Sequence, residues 1–243
     1  MSLQATDIAH NLDVVRSQIA AAALQAGRSP QEVTLVAVSK GQDTQTIRAA
    51  YAAGQRDFGE NYVQEWQEKA QALIDLPDLR WHFLGHLQRN KVKLVIGHVH
   101  LLHGVDDMQG LDEMARQAHA QRLQQAVLIQ VNPAQEQQKR GCTEHDVELF
   151  VDILLRSPGL CLQGLMIIPP ASDDPEDARP WFARLRTLRD RLAAEYAGDS
   201  RLPALWQLSM GMSSDFEVAI GQGATLVRVG TAIFGPRLPK QAT

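Results

Sequence analysis

The sequence predicts an α/β protein built as a single (β/α)8 barrel of the TIM type. Three observations carry the prediction. Runs of strand formers alternate with amphipathic segments along the whole chain. The alternation repeats through eight units, which implies parallel pairing of the strands. Eight units also suit a chain of 243 residues, because such barrels usually take about 250. A doubly wound open sheet uses the same alternation and is the alternative, since count and order alone do not close a sheet.

The elements follow in order. Residues 4–26 read as an added amphipathic helix, in which Ile8, Leu12, Val15, Ile19 and Leu24 recur near the helical period. The first unit is a strand over 33–39 and a helix over 43–53 that Gly54 stops. The second is a strand over 56–59 and a helix over 61–73. The third pairs 80–84 with 87–96, the fourth 98–104 with 108–122, and the fifth 126–132 with 143–156. The sixth pairs 162–168 with a long helix over 177–197. The seventh is a strand over 205–209 and a helix from about Ser213 to 220. The eighth strand covers 225–229 and a short helical tail follows. The most loop-like segment, PPASDDPED at 169–177, lies between a strand and a helix. Nothing divides the chain, so residues 1–243 are expected to form one domain.

Composition narrows the function. With 44% hydrophobic residues the chain can bury a sizeable core. The formal net charge is −4 and no block of like charge occurs. This argues against nucleic acid or an anionic membrane as partner. No N-terminal apolar core of signal-peptide type is present, and no segment approaches the roughly 18 apolar residues of a membrane span. Cys142 and Cys161 make no close-spaced motif. A reduced, cytoplasmic monomer is expected.

In a barrel, chemistry gathers where strands end and loops begin. Those ends read SKGQ (39–42), FGEN (58–61), LGHLQRN (84–90), QVNP (130–133), MIIPP (166–170), LSMGMSSD (208–215) and RVGTAIFG (228–235). Of the six lysines, Lys40 alone ends a buried strand. Lys69, Lys91 and Lys93 read as polar helix positions, Lys139 as a loop residue and Lys240 as tail. By period two, Lys40 shares a face with Val38, Val36 and Thr34. Partial desolvation disfavours an ammonium there, and the free amine attacks a carbonyl to form a Schiff base. A lysine snorkelling to solvent would also sit at such a strand end.

Two further features meet Lys40 at the same mouth. Ser209, Gly211, Ser213 and Ser214 lie between strand seven and its helix, whose first turn carries Asp215 and Glu217 to complement the helix dipole. Gly221, Gly223, Gly230 and Thr231 surround the last strand. Small residues let N–H groups close on a phosphate, and hydroxyls add donors. The loops after strands seven and eight are the usual phosphate site of the fold. Ordinary turn and N-cap chemistry is the plainer account of the same residues. Arg228 interrupts an apolar strand. Facing inward it needs a partner, either a ligand nitrogen or carboxylate or an inward acid such as Glu60. A Schiff-base lysine, a phosphate cup and an acceptor-seeking arginine together point to pyridoxal 5′-phosphate (PLP), which joins an aldehyde, a phosphate and a pyridine.

The segments VAVSK, FGENYVQE, WHFLGHLQRNK, GLMIIP, LSMGMSSDFEVAI and GATLVRVGTAIFG resemble those of the YggS/PROSC family of PLP homeostasis proteins, related to the N-terminal barrel of alanine racemase. The likeness runs over about residues 8–237. It implies a barrel that binds PLP as a Schiff base on Lys40, with Asn61 flanking the cofactor. Ser209, Gly230 and Thr231 would hold the phosphate, and Arg228 would face the pyridine nitrogen. His86 would lie near the site and Met210 beside the ring. Lys139 aligns loosely with a lysine counted as a secondary PLP contact. Where the family usually reads VSKTKP this chain reads VSKGQD, so Gln42 and Asp43 stand in place of a lysine and a proline. The resemblance implies PLP (vitamin B6) homeostasis and carriage inside the cell, with PLP-dependent apoenzymes as recipients and no robust turnover. A small PLP-dependent amino-acid racemase is the alternative.

Two arguments favour the carrier. A permanently cationic arginine keeps a pyridine unprotonated and weakens it as an electron sink. Two-base racemisation also needs a second acid/base group, and of Tyr51, Tyr62 and Tyr196 only Tyr62 falls near the mouth. The run HVHLLH puts His98 and His100 on one strand face, but a metal site needs further ligands and none is expected. Trp66, Trp81, Trp181 and Trp206 read as packing residues, and the Arg-rich helix at 178–191 as a solvated face.

Overall fold

The computed structural model describes residues 4–134, 136, 140–202 and 206–236. Lys139 and Leu205, the latter expected in the seventh strand, lie outside them. The strands are β1 (Thr34–Val38), β2 (Asp57–Glu60), β3 (Arg80–Phe83), β4 (Leu101–Val105), β5 (Gln125–Val131), β6 (Leu160–Ile167), β7 (Gln207–Ser209) and β8 (Leu226–Val229). They close into a parallel barrel in chain order. The β1–β8 ladder, with Val36 opposite Arg228 and Ala37 opposite Val229, removes the open-sheet alternative.

The alternation of β1 explains the two-layered core. Val36 points inward and meets Leu101, Leu128, Met166 and Leu226 inside the barrel. Leu35 and Ala37 point outward into the larger layer between strands and helices. Around the barrel lie α1 (Ala5–Gln25), α2 (Thr44–Ala52), α3 (Val63–Ala72), α4 (Val92–Val95), α5 (Met108–Gln121), α6 (Val147–Arg156), α7 (Arg179–Glu195), α8 (Phe216–Gly221) and α9 (Thr231–Phe234). The added helix α1 packs on α2, α8 and α9. Its buried stripe ends in Ala22 and Ala23, and Leu24, expected on that stripe, is exposed.

Several boundaries differ from expectation. The third helix is a 3-10 turn at Arg89–Lys91 followed by the short α4. Strand β4 starts at Leu101, which leaves His98 and His100 exposed before it rather than on its face. Helix α8 starts at Phe216, because the Asp215 carboxylate accepts the Met212 N–H at 2.6 Å and holds 213–215 as a turn. The arginines of α7 also do more than face solvent. Arg184 pairs with Glu144 and Arg191 with Glu148 of α6, while Arg189 donates to the Trp206 carbonyl at 3.2 Å.

Candidate functional site

The C-terminal ends of the strands surround a cavity of about 340 Å³, within the usual range for small-ligand sites. Lys40 and Gln42 enter it after β1, Asn61 after β2 and Leu84 after β3. Met166 and Ile168 enter from β6, and Met212, Ser213 and Ser214 after β7. Arg228, Gly230 and Thr231 complete it from β8. These residues include two cations and no carboxylate, so the field in the cavity favours an anion.

Lys40 occupies a tight turn. The Gln42 N–H closes it on the Ser39 carbonyl at 2.9 Å. Gly41, with φ 76°, supplies the left-handed residue such a turn requires. A buried charge cluster on the outer face of the barrel fixes the turn from behind. Lys69 Nζ donates to the Ser39 carbonyl at 2.7 Å, to Glu60 Oε1 at 2.7 Å and to Glu65 Oε1 at 2.8 Å. Ser39 Oγ donates to the same Glu60 oxygen at 2.6 Å, and Glu65 accepts the Gly41 N–H. Burial raises the Glu60 pKa, against the pull of Lys69. Lys69, a polar helix position by sequence, is only 5% exposed. The missed signal was periodic: Trp66, Lys69 and Leu73 recur at helical spacing, and both hydrophobic members are buried.

Arg228 does face inward. Its partner is not Glu60, which lies on the outer side of the barrel with Lys69. The guanidinium donates instead to Ser209 Oγ at 2.7 Å and to the Ile167 carbonyl at 2.9 Å. Both acceptors are neutral and use two of its five N–H donors. Burial lowers its pKa to about 10, opposed by the charge of Asp215.

Between the loops after β7 and β8, Ser213 Oγ accepts the N–H of Gly230 at 3.2 Å and of Ala232 at 3.4 Å. The Ser213 hydroxyl thus ties the loop after β7 to the segment after β8. Across the mouth, Asn61 Oδ1 is buried with no hydrogen-bond partner. Gly85 lets the loop after β3 pass this residue, since a Cβ there would stand 2.2 Å from the Asn61 carbonyl oxygen.

Of the residues singled out from sequence, Lys40, Asn61, Arg228, Gly230 and Thr231 meet at this cavity. Three do not line it. Ser209 sits one layer deeper, bound to Arg228 and His103. Met210 turns outward into the helix layer by strand alternation, and Met212 takes the position on the wall. His86 lies in a neighbouring recess with Arg89, Asp107 and Arg140, where Asp106 binds its Nδ1 at 3.0 Å. With Asp106 and Asp107 it forms the metal-capable trio found among the described residues, but the two arginines of the recess oppose a cation. Tyr62 faces another recess, with Asp43 and Glu65.

The fold and the site define a (β/α)8 barrel that presents a lysine after its first strand to a cavity lined by the loops after its seventh and eighth. The profile described as alanine racemase, N-terminal domain, matches residues 6–238. The pyridoxal phosphate homeostasis protein of Aquifex aeolicus is 44% identical over 226 residues, 93% of this chain and 96% of that one. The protein of the same name from Escherichia coli K12 is 42% identical, covering 95% and 97%. PipY of Synechococcus elongatus, solved with PLP bound, superimposes with a TM-score of 0.82 at 37% identity, covering 94% of this chain and all of that one. Alanine racemase of Corynebacterium glutamicum shares the fold, with a TM-score of 0.71 at 17% identity over 62% of its length. The chain belongs to the alanine racemase N-terminal-domain family, among its pyridoxal phosphate homeostasis proteins.

Proposed function

We propose that this chain binds PLP in the cavity as a Schiff base on Lys40 and serves intracellular PLP homeostasis as a carrier rather than an enzyme. One observation carries the reading: the cavity lining brings together an amine, a guanidinium and several hydroxyls, with no acid. The PLP homeostasis relatives and the PLP-bound PipY support it. PLP supplies an aldehyde that condenses with a primary amine and a pyridine that, once protonated, acts as an electron sink.

Each residue then has a role. Lys40 provides the amine, and its turn holds it at the mouth. Ser213, Ser214, Gly230 and Thr231 bind the phosphate through hydroxyl and N–H donors. Arg228, a donor that does not give up its proton, keeps the ring nitrogen as an acceptor. Asn61 offers an unfilled acceptor to a ligand donor. Besides Lys40, the polar side chains on the wall are amides, hydroxyls and the guanidinium, which supports a site without a second acid/base partner. The recipients would be PLP-dependent apoenzymes of the cytoplasm, and the carrier would act as a monomer. No helix among the described residues is long and apolar enough to cross a membrane.

The test is spectroscopic. Protein loaded with PLP should show a Schiff-base absorbance band, lost on borohydride reduction, with the label on Lys40. Lys40→Ala should abolish the band while keeping weaker, non-covalent PLP binding. Label on another lysine, or a band that survives in Lys40→Ala, would overturn the assignment.

A further inference from the structure

A buried polar chain runs up the inside of the barrel and ends at the cavity. At its far end Asp57, on β2, accepts Arg80 Nε at 2.8 Å and Nη2 at 2.6 Å. His82 Nε2 lies 3.0 Å from Asp57 Oδ1, and His82 Nδ1 lies 2.9 Å from His103 Nε2. His103 Nδ1 lies 2.8 Å from Ser209 Oγ, which accepts Arg228 Nη1 at 2.7 Å. Five strands contribute one link each, and every link from Asp57 to Arg228 is buried.

The direction of each hydrogen follows from the two ends. Burial raises the Asp57 pKa, but the bonds from His82 and Arg80 outweigh it and hold the carboxyl below its ordinary value. An ionised carboxylate only accepts, so His82 Nε2 carries a hydrogen. Arg80 already neutralises Asp57, so a second proton on His82 would leave uncompensated charge in the interior. His82 Nδ1 is therefore bare and takes the hydrogen of His103 Nε2. Desolvation holds the wholly buried His103 neutral. Its bare Nδ1 then takes the Ser209 O–H, and the lone pairs of that oxygen turn to Arg228. Every hydrogen in the chain points away from the cavity.

We propose that His82 and His103 are positioning residues of the cavity: they orient the Ser209 hydroxyl and through it hold the Arg228 guanidinium at the wall. The ligand in this inference rests on the PLP reading above; the polarity of the chain does not.

The first measurement uses ligand-free protein labelled with nitrogen-15 at histidine, and long-range H–N correlation NMR near neutral pH. Both rings should be Nε2–H tautomers. An Nδ1–H tautomer or a doubly protonated ring at either position overturns the chain. The second compares PLP affinity and the absorbance of the bound form in His103→Asn, His103→Leu and Ser209→Ala. Asn puts an acceptor where Nδ1 stood and keeps Ser209 oriented, whereas Leu keeps more volume and loses the acceptor. His103→Asn should bind close to wild type. His103→Leu and Ser209→Ala should each bind about tenfold more weakly, with a shifted band. A purely structural His103 would reverse the first two, because Asn leaves the larger void. That reversed order, or an unaltered Ser209→Ala, overturns the proposal. The tautomers are read without ligand, so a wild-type chain that fails to bind PLP counts against the cofactor reading and not against the chain.

Discussion

Two buried polar clusters flank the cavity, and they handle charge in opposite ways. Outside the barrel, Lys69 meets Glu60 and Glu65 directly, so full charges face each other at 2.7 and 2.8 Å behind the Lys40 turn. Inside, Arg228 and Asp57 are joined through Ser209 and two histidines. The outer cluster clamps backbone, because its bonds reach the Ser39 carbonyl and the Gly41 amide. The inner chain runs from side chain to side chain, meets backbone where Arg228 reaches the Ile167 carbonyl, and aims a side chain. A residue that must stay put is fixed by local ion pairing, and one that must point is fixed by a directional chain.

The largest effect should separate the two. Lys69→Met strands Glu60 as a buried, unpaired carboxylate, which costs about 3–5 kcal/mol. Chemical denaturation should show this loss, and Lys69→Met with Glu60→Gln should recover most of it. If the single change costs no more than the double, the outer cluster is not the clamp described. Next comes Arg228→Met, which removes the cavity's guanidinium and its bonds to any acceptor there. PLP affinity should fall by about 2 kcal/mol, read by equilibrium binding, with little loss of the outer clamp.

Acid should also tell the clusters apart. Unfolded His103 takes up a proton below its ordinary 6.5, whereas the folded residue resists it because of burial. The unfolded state then binds more protons, so stability should fall as pH drops below about 6.5, by about 1.4 kcal/mol per unit from this group. Glu60 has the opposite sign. Its folded pKa is raised above 4.5 by burial, so between 4.5 and that raised value the folded state binds more protons and stability rises as pH falls. Denaturation midpoints of His103→Asn and Glu60→Gln against pH should lose these two slopes separately. The smallest effect is expected of Tyr62→Phe. The ring is 63% exposed and faces the neighbouring recess, so PLP binding and the absence of D-alanine formation from L-alanine should be unchanged. Steady D-alanine production that this substitution abolishes would make the chain a racemase.

The contrast also marks what can be read from sequence. Strand count, parallel order and the lysine after β1 are local patterns, legible from periodicity two and its breaks. Ser213 and Ser214 were legible as a donor-rich loop in the right place. Ser209 and Met210 were misplaced because one residue of register decides between cavity, barrel interior and helix layer. That register is settled when β7 pairs with β6, Met166 opposite Ser209, and with β8, Leu226 opposite Ser209. Both clusters were illegible for the same reason. Their partners lie on different strands and helices, and no spacing along the chain brings Asp57, His82, His103, Ser209 and Arg228 together.

The fastening of α1 has a further consequence, for the order in which the molecule can be made. Asn11 donates to the Ile233 carbonyl at 2.9 Å, and Arg28 donates to Ile220 at 3.1 Å and Ala224 at 2.8 Å. The helix before β1 is thus tied to the segments that flank β8. During synthesis its stripe of Ile8, Leu12, Val15 and Ile19 has no complete partner until α8 and α9 have emerged. Nor can β1 find β8 before then. Contacts this distant in sequence form slowly, and exposed apolar surface invites association. A nascent chain is therefore both sticky and unable to hold its ligand until the segment carrying α8, β8 and α9 has left the ribosome.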